Sequence, residues 1–144
     1  MSDTPATITL AEMQARVHQG VPLAAAWEIE VLSFSAGLAL LRLPFRADLL
    51  RPGGTVSGPA LMGLADVAMW VALLSLSEGQ DESLTASLAI TFLRPPPPRP
   101  VLAEARVIKR GRTLSYGEIT LRAEGAAEAC AHATTSWAAR PRQR

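Results

Sequence analysis

Ser57-Gly58-Pro59-Ala60-Leu61-Met62-Gly63-Leu64-Ala65-Asp66-Val67-Ala68-Met69-Trp70, running on to Leu76, decides how this chain is read. From Pro59 to Leu76 nearly every side chain is apolar, and Asp66 alone is ionisable. A helix that is apolar on all sides belongs inside a larger core or a membrane. A carboxylate in the middle of either is costly unless something partners it or uses it. Gly58 suits an N-cap and Pro59 the first helical position, where its missing N–H is no loss. The stretch therefore predicts a buried helix that opens at Gly58 with its positive end and carries one acid two turns in.

A membrane span has to be weighed, since a run of about 18 apolar residues reaches the transmembrane threshold. Against it stand the central Asp66, the Ala/Gly-rich composition and the absence of basic flanks. The rest of the chain also reads as sheet in need of something apolar to cover. A core helix is expected, with no membrane partner. The 144 residues suit one domain, 1–144, with 1–22 as an N-terminal helical segment and 140–144 as a frayed basic tail. A net charge of +1 supplies no field for nucleic acid. The single Cys130 excludes an internal disulfide framework and suits a reducing, cytoplasmic setting. Met1-Ser2-Asp3-Thr4-Pro5 has neither the basic nor the apolar region of a signal peptide. The scattered histidines and cysteine give no metal site.

Around the helix the pattern is that of strands. Leu10, Met13 and Val17 have helical spacing up to Gly20. Trp27 to Val31 alternates apolar and acidic, Ser35-Ala36-Gly37 turns, and Leu38 to Leu43 follows before Pro44. Beyond the helix, Leu84, Ala86, Leu88, Ile90 and Phe92 recur with period two, predicting a strand with one buried face that Pro95 to Pro98 closes. Val101 to Val107, Leu114 to Arg122 and Ala127 to Trp137 make three more strands, with turns at Arg110-Gly111-Arg112 and Glu124-Gly125. The expected fold is α+β: one long apolar helix wrapped by an antiparallel sheet of about six strands.

This layout and its residues resemble the hotdog fold, and within it the acyl-CoA thioesterases of the phenylacetate-degradation (PaaI-like) type. Three pieces carry the resemblance, which runs from about Trp27 to Trp137. They are Gly58 followed eight residues later by Asp66, the strand Leu84 to Pro95, and Lys109-Arg110-Gly111-Arg112. The resemblance implies a thioester hydrolase in which the Gly58 N–H faces the thioester carbonyl and Asp66 is nucleophile or general base. Thr85 stands where a hydroxyl residue helps place the water, but strict alternation sets it on the face away from Leu84 and Leu88, so that role needs a bulge or a site on that face. Where the family has histidine, glycine and, six residues upstream, asparagine, this chain has Ser57, Pro59 and Arg51.

General physics supports the pair. A helix N-terminus offers unpaired N–H groups to an oxygen gaining charge, and an apolar wall raises a carboxylate pKa toward that of a useful base. Yet eight residues at about 1.5 Å rise separate Gly58 and Asp66 by roughly 12 Å. One helix cannot bring both to one thioester, whereas two antiparallel helices across a two-fold axis can. A homodimer or homotetramer with a shared site is therefore expected. Arg94, Arg99, Lys109, Arg110 and Arg112 are either solvated or ligands for the phosphates of the substrate's coenzyme A moiety. Met62 and Met69 are core or acyl-pocket residues, and Ser57 is a local cap or loop hydrogen-bonder rather than a nucleophile. No further cofactor is implied. The alternative is a hotdog domain that binds acyl-CoA or another apolar ligand without turning it over. A hotdog dehydratase needs a histidine near the helix, and neither His18 nor His132 is so placed.

Overall fold

A computed structural model describes residues 7–140. The reading of Met1 to Pro5 and that of the tail at 141–144 lie outside the described residues. In chain order the elements are α1 (Leu10–Gly20), α2 (Pro22–Ala26), β1 (Glu30–Ser35), β2 (Leu38–Leu43), a 3-10 turn (Ala47–Leu49), α3 (Gly58–Leu74), β3 (Leu84–Phe92), β4 (Val101–Arg110), β5 (Leu114–Ala123) and β6 (Ala131–Ala138). The strands form one antiparallel sheet in the order β1-β2-β4-β5-β6-β3, and α3 lies across its inner face. This is the hotdog arrangement.

Hydrophobic burial holds the arrangement together. Leu61, Leu64, Leu73 and Leu74 of α3 are fully buried with Leu41, Leu43, Ile119 and Leu121 of the sheet, each such side chain contributing about 1.5–3 kcal/mol. Small residues set the approach of the layers. A Cβ on Gly63 would lie 2.7 Å from the Trp27 ring, and one on Gly117 would strike the Met69 methyl. The tight β1–β2 turn uses left-handed Ala36 (φ 40) and Gly37 (φ 85), as expected of a hairpin whose turn must match the strand twist. No helix of the described residues is long and apolar enough to cross a membrane.

Four expectations need correction. First, α3 is not covered all round. Pro59, Met62 and, partly, Gly63, Asp66 and Trp70 form an open stripe along it, while eleven of its residues are buried. Second, β3 does not have a buried face. It is the sheet edge, and Leu84 and Phe92 are 62% and 50% exposed. Third, the helix begins one residue earlier than predicted, with Gly58 as its first residue and Ser57 at the cap position; helix ends are routinely uncertain by this much. Fourth, the first strand starts at Glu30 rather than Trp27, because Pro22 opens an extra helical turn that ends at Trp27. The last strand likewise begins at Ala131, the residues before it being spent in a turn that opens at left-handed Gly125.

Candidate active site

Asp66 is half-buried on the open stripe of α3. Its Oδ1 accepts a 2.7 Å hydrogen bond from the Thr85 hydroxyl, and Oδ2 has no partner among the described residues. Burial pushes the Asp66 pKa above the ordinary carboxylate range, and the Thr85 bond opposes that rise in part. Desolvation outweighs the hydrogen bond because one neutral donor cannot replace the water shell of an ion.

The Thr85 contact depends on a local break in β3. Strict alternation from Leu88 would turn Thr85 away from the helix. The strand instead bulges at Ala86, so that Thr85 pairs with Trp137 and Ser87 with Ser136. Thr85 thereby joins the inward face that Leu88, Ile90 and Phe92 share, and Leu84 goes to the outer one. Such extra residues commonly re-aim a side chain at a functional site. A second bulge, between Val107 and Lys109 on β4, sets Arg110 opposite Ser115 on the inner face and turns Lys109 to the outer one.

At the start of α3 the Ser57 hydroxyl makes no cap bond. Ser57 N donates to Leu49 O (2.9 Å), and its carbonyl accepts from Leu61 N (3.2 Å). The Gly58 N–H has no acceptor among the described residues, as expected of a first-turn donor. The Phe92 ring lies over Gly58, 3.3 Å from where a Cβ would stand, so a larger residue there would press on the ring. Arg51 is exposed in the preceding loop, its N donating to Thr55 O (2.9 Å).

Asp66 and Thr85 line a cleft of about 460 Å³ together with Trp70, Trp137, Asp81 and Arg140. Gly58 does not line it. A single chain therefore brings Thr85 to Asp66 but leaves Gly58 two helical turns away. Met62 is on the open stripe, 38% exposed, whereas Met69 is fully buried and lines none of the described cavities. Its place in an acyl pocket is thus withdrawn; it packs on Gly117.

The basic residues divide into two groups. Arg110 and Arg112 line a second cavity of about 280 Å³ with Arg140, Ser115 and Asp81, and Arg110 contacts Asp81 at 3.4 Å. Arg94 lies just past the far end of β3, nine residues beyond Thr85, bound to Ala129 O and paired with Glu128 at 3.5 Å. One chain does not gather them into a single anion site. His132 is half-buried on the outer face beside Glu118 (3.2 Å), and Cys130 is buried. Trp70, read from the sequence as core or pocket-lining, is in the cleft, whereas the place of Trp137 there escaped sequence reasoning. Alternation sets Trp137 on the inner face of β6, but only strand pairing shows that it stands next to Thr85.

Residues 53–130, which hold α3 to β5, match the family model described as Thioesterase superfamily. The chain belongs to the thioesterase superfamily. A provisionally named esterase of Saccharolobus solfataricus is 32% identical over 76% of this chain and 71% of its own length. A second from that organism is 28% identical over 64% of this chain, which spans just under two thirds (65%) of its length. Among solved structures, a provisionally named thioesterase from a Silicibacter species is 31% identical with a TM-score of 0.82, over 93% of both chains. A mutant of the phenylacetic acid degradation protein PaaI from Thermus thermophilus is 25% identical with a TM-score of 0.73, over 83% of this chain and 99% of that one. This thioesterase-superfamily domain thus has its matched segment around the cleft-lining helix and the strand that carries Thr85.

Proposed function

We propose that this chain hydrolyses the thioester of an acyl- or arylacyl-CoA, after the manner of PaaI-like enzymes. It works as a homo-oligomer whose site is shared between two copies. The hydrogen bond from Thr85 to Asp66, inside a cleft and on a half-buried carboxylate of raised pKa, is the observation that carries this reading.

In the proposed reaction Thr85 holds Oδ1, so Oδ2 is the oxygen that takes a proton from water. The water oxygen bonds to the thioester carbon, and the carbonyl oxygen becomes an oxyanion. The Gly58 N–H of the second copy stabilises that charge, aided by the positive end of its helix. Collapse breaks the carbon–sulfur bond, the thiolate takes the proton from Asp66, and a carboxylic acid and coenzyme A leave. Desolvation of Asp66 favours the first proton transfer, from water to Oδ2, since a carboxylate of raised pKa accepts a proton more readily. The open stripe of α3 and the uncovered edge of β3 offer a second copy the apolar surface needed to bring Gly58 close. Arg110, Arg112 and Arg140 are suited to the phosphates of coenzyme A.

The test is thiol release over short, long and aromatic acyl-CoAs. Asp66→Asn is expected to lower kcat by about a thousandfold or more while the protein keeps its circular dichroism and oligomeric state. Unchanged turnover in that variant removes Asp66 from the reaction. Tight acyl-CoA binding by the wild type with no thiol release marks a binding domain instead.

A further inference from the structure

Among the described residues, the Nε1–H of Trp137 is the buried side-chain polar group left without a hydrogen-bond partner. Native interiors seldom leave such a group unpaired, and beside a cleft its acceptor can be an ordered water or an atom of a bound ligand. Trp137 is 5% exposed and lines the Asp66 cleft with Trp70. The Trp70 indole is already satisfied, donating to Asp81 O at 3.2 Å.

Strand pairing puts Trp137 directly across from Thr85 on one side and from Ser115 on the other, and Ser115 across from Arg110. Paired residues of an antiparallel sheet share a face. Thr85, Trp137, Ser115 and Arg110 therefore form one row on the inner face, at about 4.8 Å per strand and about 14 Å in all. The Thr85 end of the row holds Asp66. The Arg110 end opens into the second cavity, which shares Asp81, Glu82, Ser83 and Arg140 with the first.

Resting on the coenzyme A reading above, we infer that the Trp137 indole N–H is a substrate-binding donor. It takes the first amide carbonyl of the pantetheine arm as that arm crosses from Asp66 toward Arg110 and Arg112. An indole N–H donates only, so its partner has to be an acceptor. The row ends at guanidinium groups, which suit phosphate oxygens, so the arm lying over it is the thiol arm rather than the acyl group. Two carbons and a nitrogen separate the thioester sulfur from that carbonyl. This matches a step of one strand, about 4.8 Å, from Thr85 to Trp137.

Trp137→Phe keeps the ring and removes the donor. The readout is the ratio of kcat/KM for two thioesters of the same acyl group, the N-acetylcysteamine thioester, which retains this amide, and the S-propyl thioester, which lacks it. The ratio is expected to fall about threefold to tenfold, in KM rather than kcat. Trp27→Phe, whose ring packs on Gly63 outside the described cavities, serves as the control and leaves the ratio where it was. An equal loss against both thioesters, or no loss, overturns the assignment. A second readout needs no turnover. The three tryptophans give three indole N–H signals, and Trp137→Phe identifies one of them. Coenzyme A added to Asp66→Asn should move that signal to saturation. A signal that stays put while calorimetry shows coenzyme A bound overturns the contact, as does the absence of binding. A signal that moves in a protein whose wild type releases no thiol rejects hydrolysis but keeps the contact.

Discussion

Strands β1 and β3 stand at the two ends of one sheet, yet the chain covers the outer backbone of β1 and leaves that of β3 bare. At the β1 end, Gln14 of α1 behaves as a neighbouring strand would. Its amide donates to Ile29 O at 3.0 Å and accepts from Val31 N at 2.7 Å, while His18 donates to the same Ile29 carbonyl at 2.8 Å. The β3 edge is nine residues long, without charge or proline, and no helix side chain hydrogen-bonds to its backbone among the described residues. Folded proteins protect such edges, because an open apolar edge invites pairing. What differs between the two ends is therefore whether the chain completes itself there. The unprotected end adjoins the open stripe of α3 and the start of that helix, where Phe92 covers Gly58, which fits the proposed second copy.

The sharpest way to break this contrast is to charge each edge in turn. Met62→Glu with Phe92→Glu, both on the open side, should give monomers by light scattering and lose at least about a hundredfold in thiol release. Leu32→Glu, on the covered side and 37% exposed, should keep both the assembly and the turnover. The same result from both variants removes the distinction between the edges.

A smaller effect is expected where the β3 bulge meets the helix. Thr85→Val removes the donor to Asp66 and should lower kcat by about tenfold to a hundredfold. The sign of the pH effect follows from the same bond. Thr85 holds the Asp66 pKa down against burial, so its loss raises that pKa further. A base works when deprotonated, and the rising limb of the kcat profile should therefore move to higher pH. A limb that moves down, or stays, separates Thr85 from the titrating group. The smallest effect belongs to the covered edge. Gln14→Ala leaves the Val31 N–H without its acceptor, while Ile29 O keeps His18, and should cost about 1–3 kcal/mol in denaturant unfolding, with turnover as before.

The core helix was legible before any coordinates because its signal is local: an apolar run behind a glycine and a proline. Strands β2, β4 and β5 were legible for the same reason, since period-two alternation and a turn residue lie within each segment. The positions of the two bulges were not, although alternation already showed that Thr85 would need one to face with Leu88. Nothing in Leu84-Thr85-Ala86-Ser87 marks Ala86 as the extra residue, for the shift exists only against Ser136 and Trp137 of another strand. The inward turn of Arg110, the outward turn of Lys109 and the separation of Arg94 from both were hidden alike. The burial of Met69 was hidden too, because two methionines on one apolar helix differ only in what packs against them.

By itself, then, the sequence determined the order of the core helix and the six strands, though not α2, the apolar helix with its one acid, and the Gly58 to Asp66 spacing, all of which follow from covalent neighbours and helical rise. The tertiary structure alone decided that Thr85 reaches Asp66, that Trp137 stands beside it, and that one edge of the sheet is finished while the other is open. Those depend on strand pairing and register between distant segments, and a single-residue shift in register carries a side chain to the opposite face.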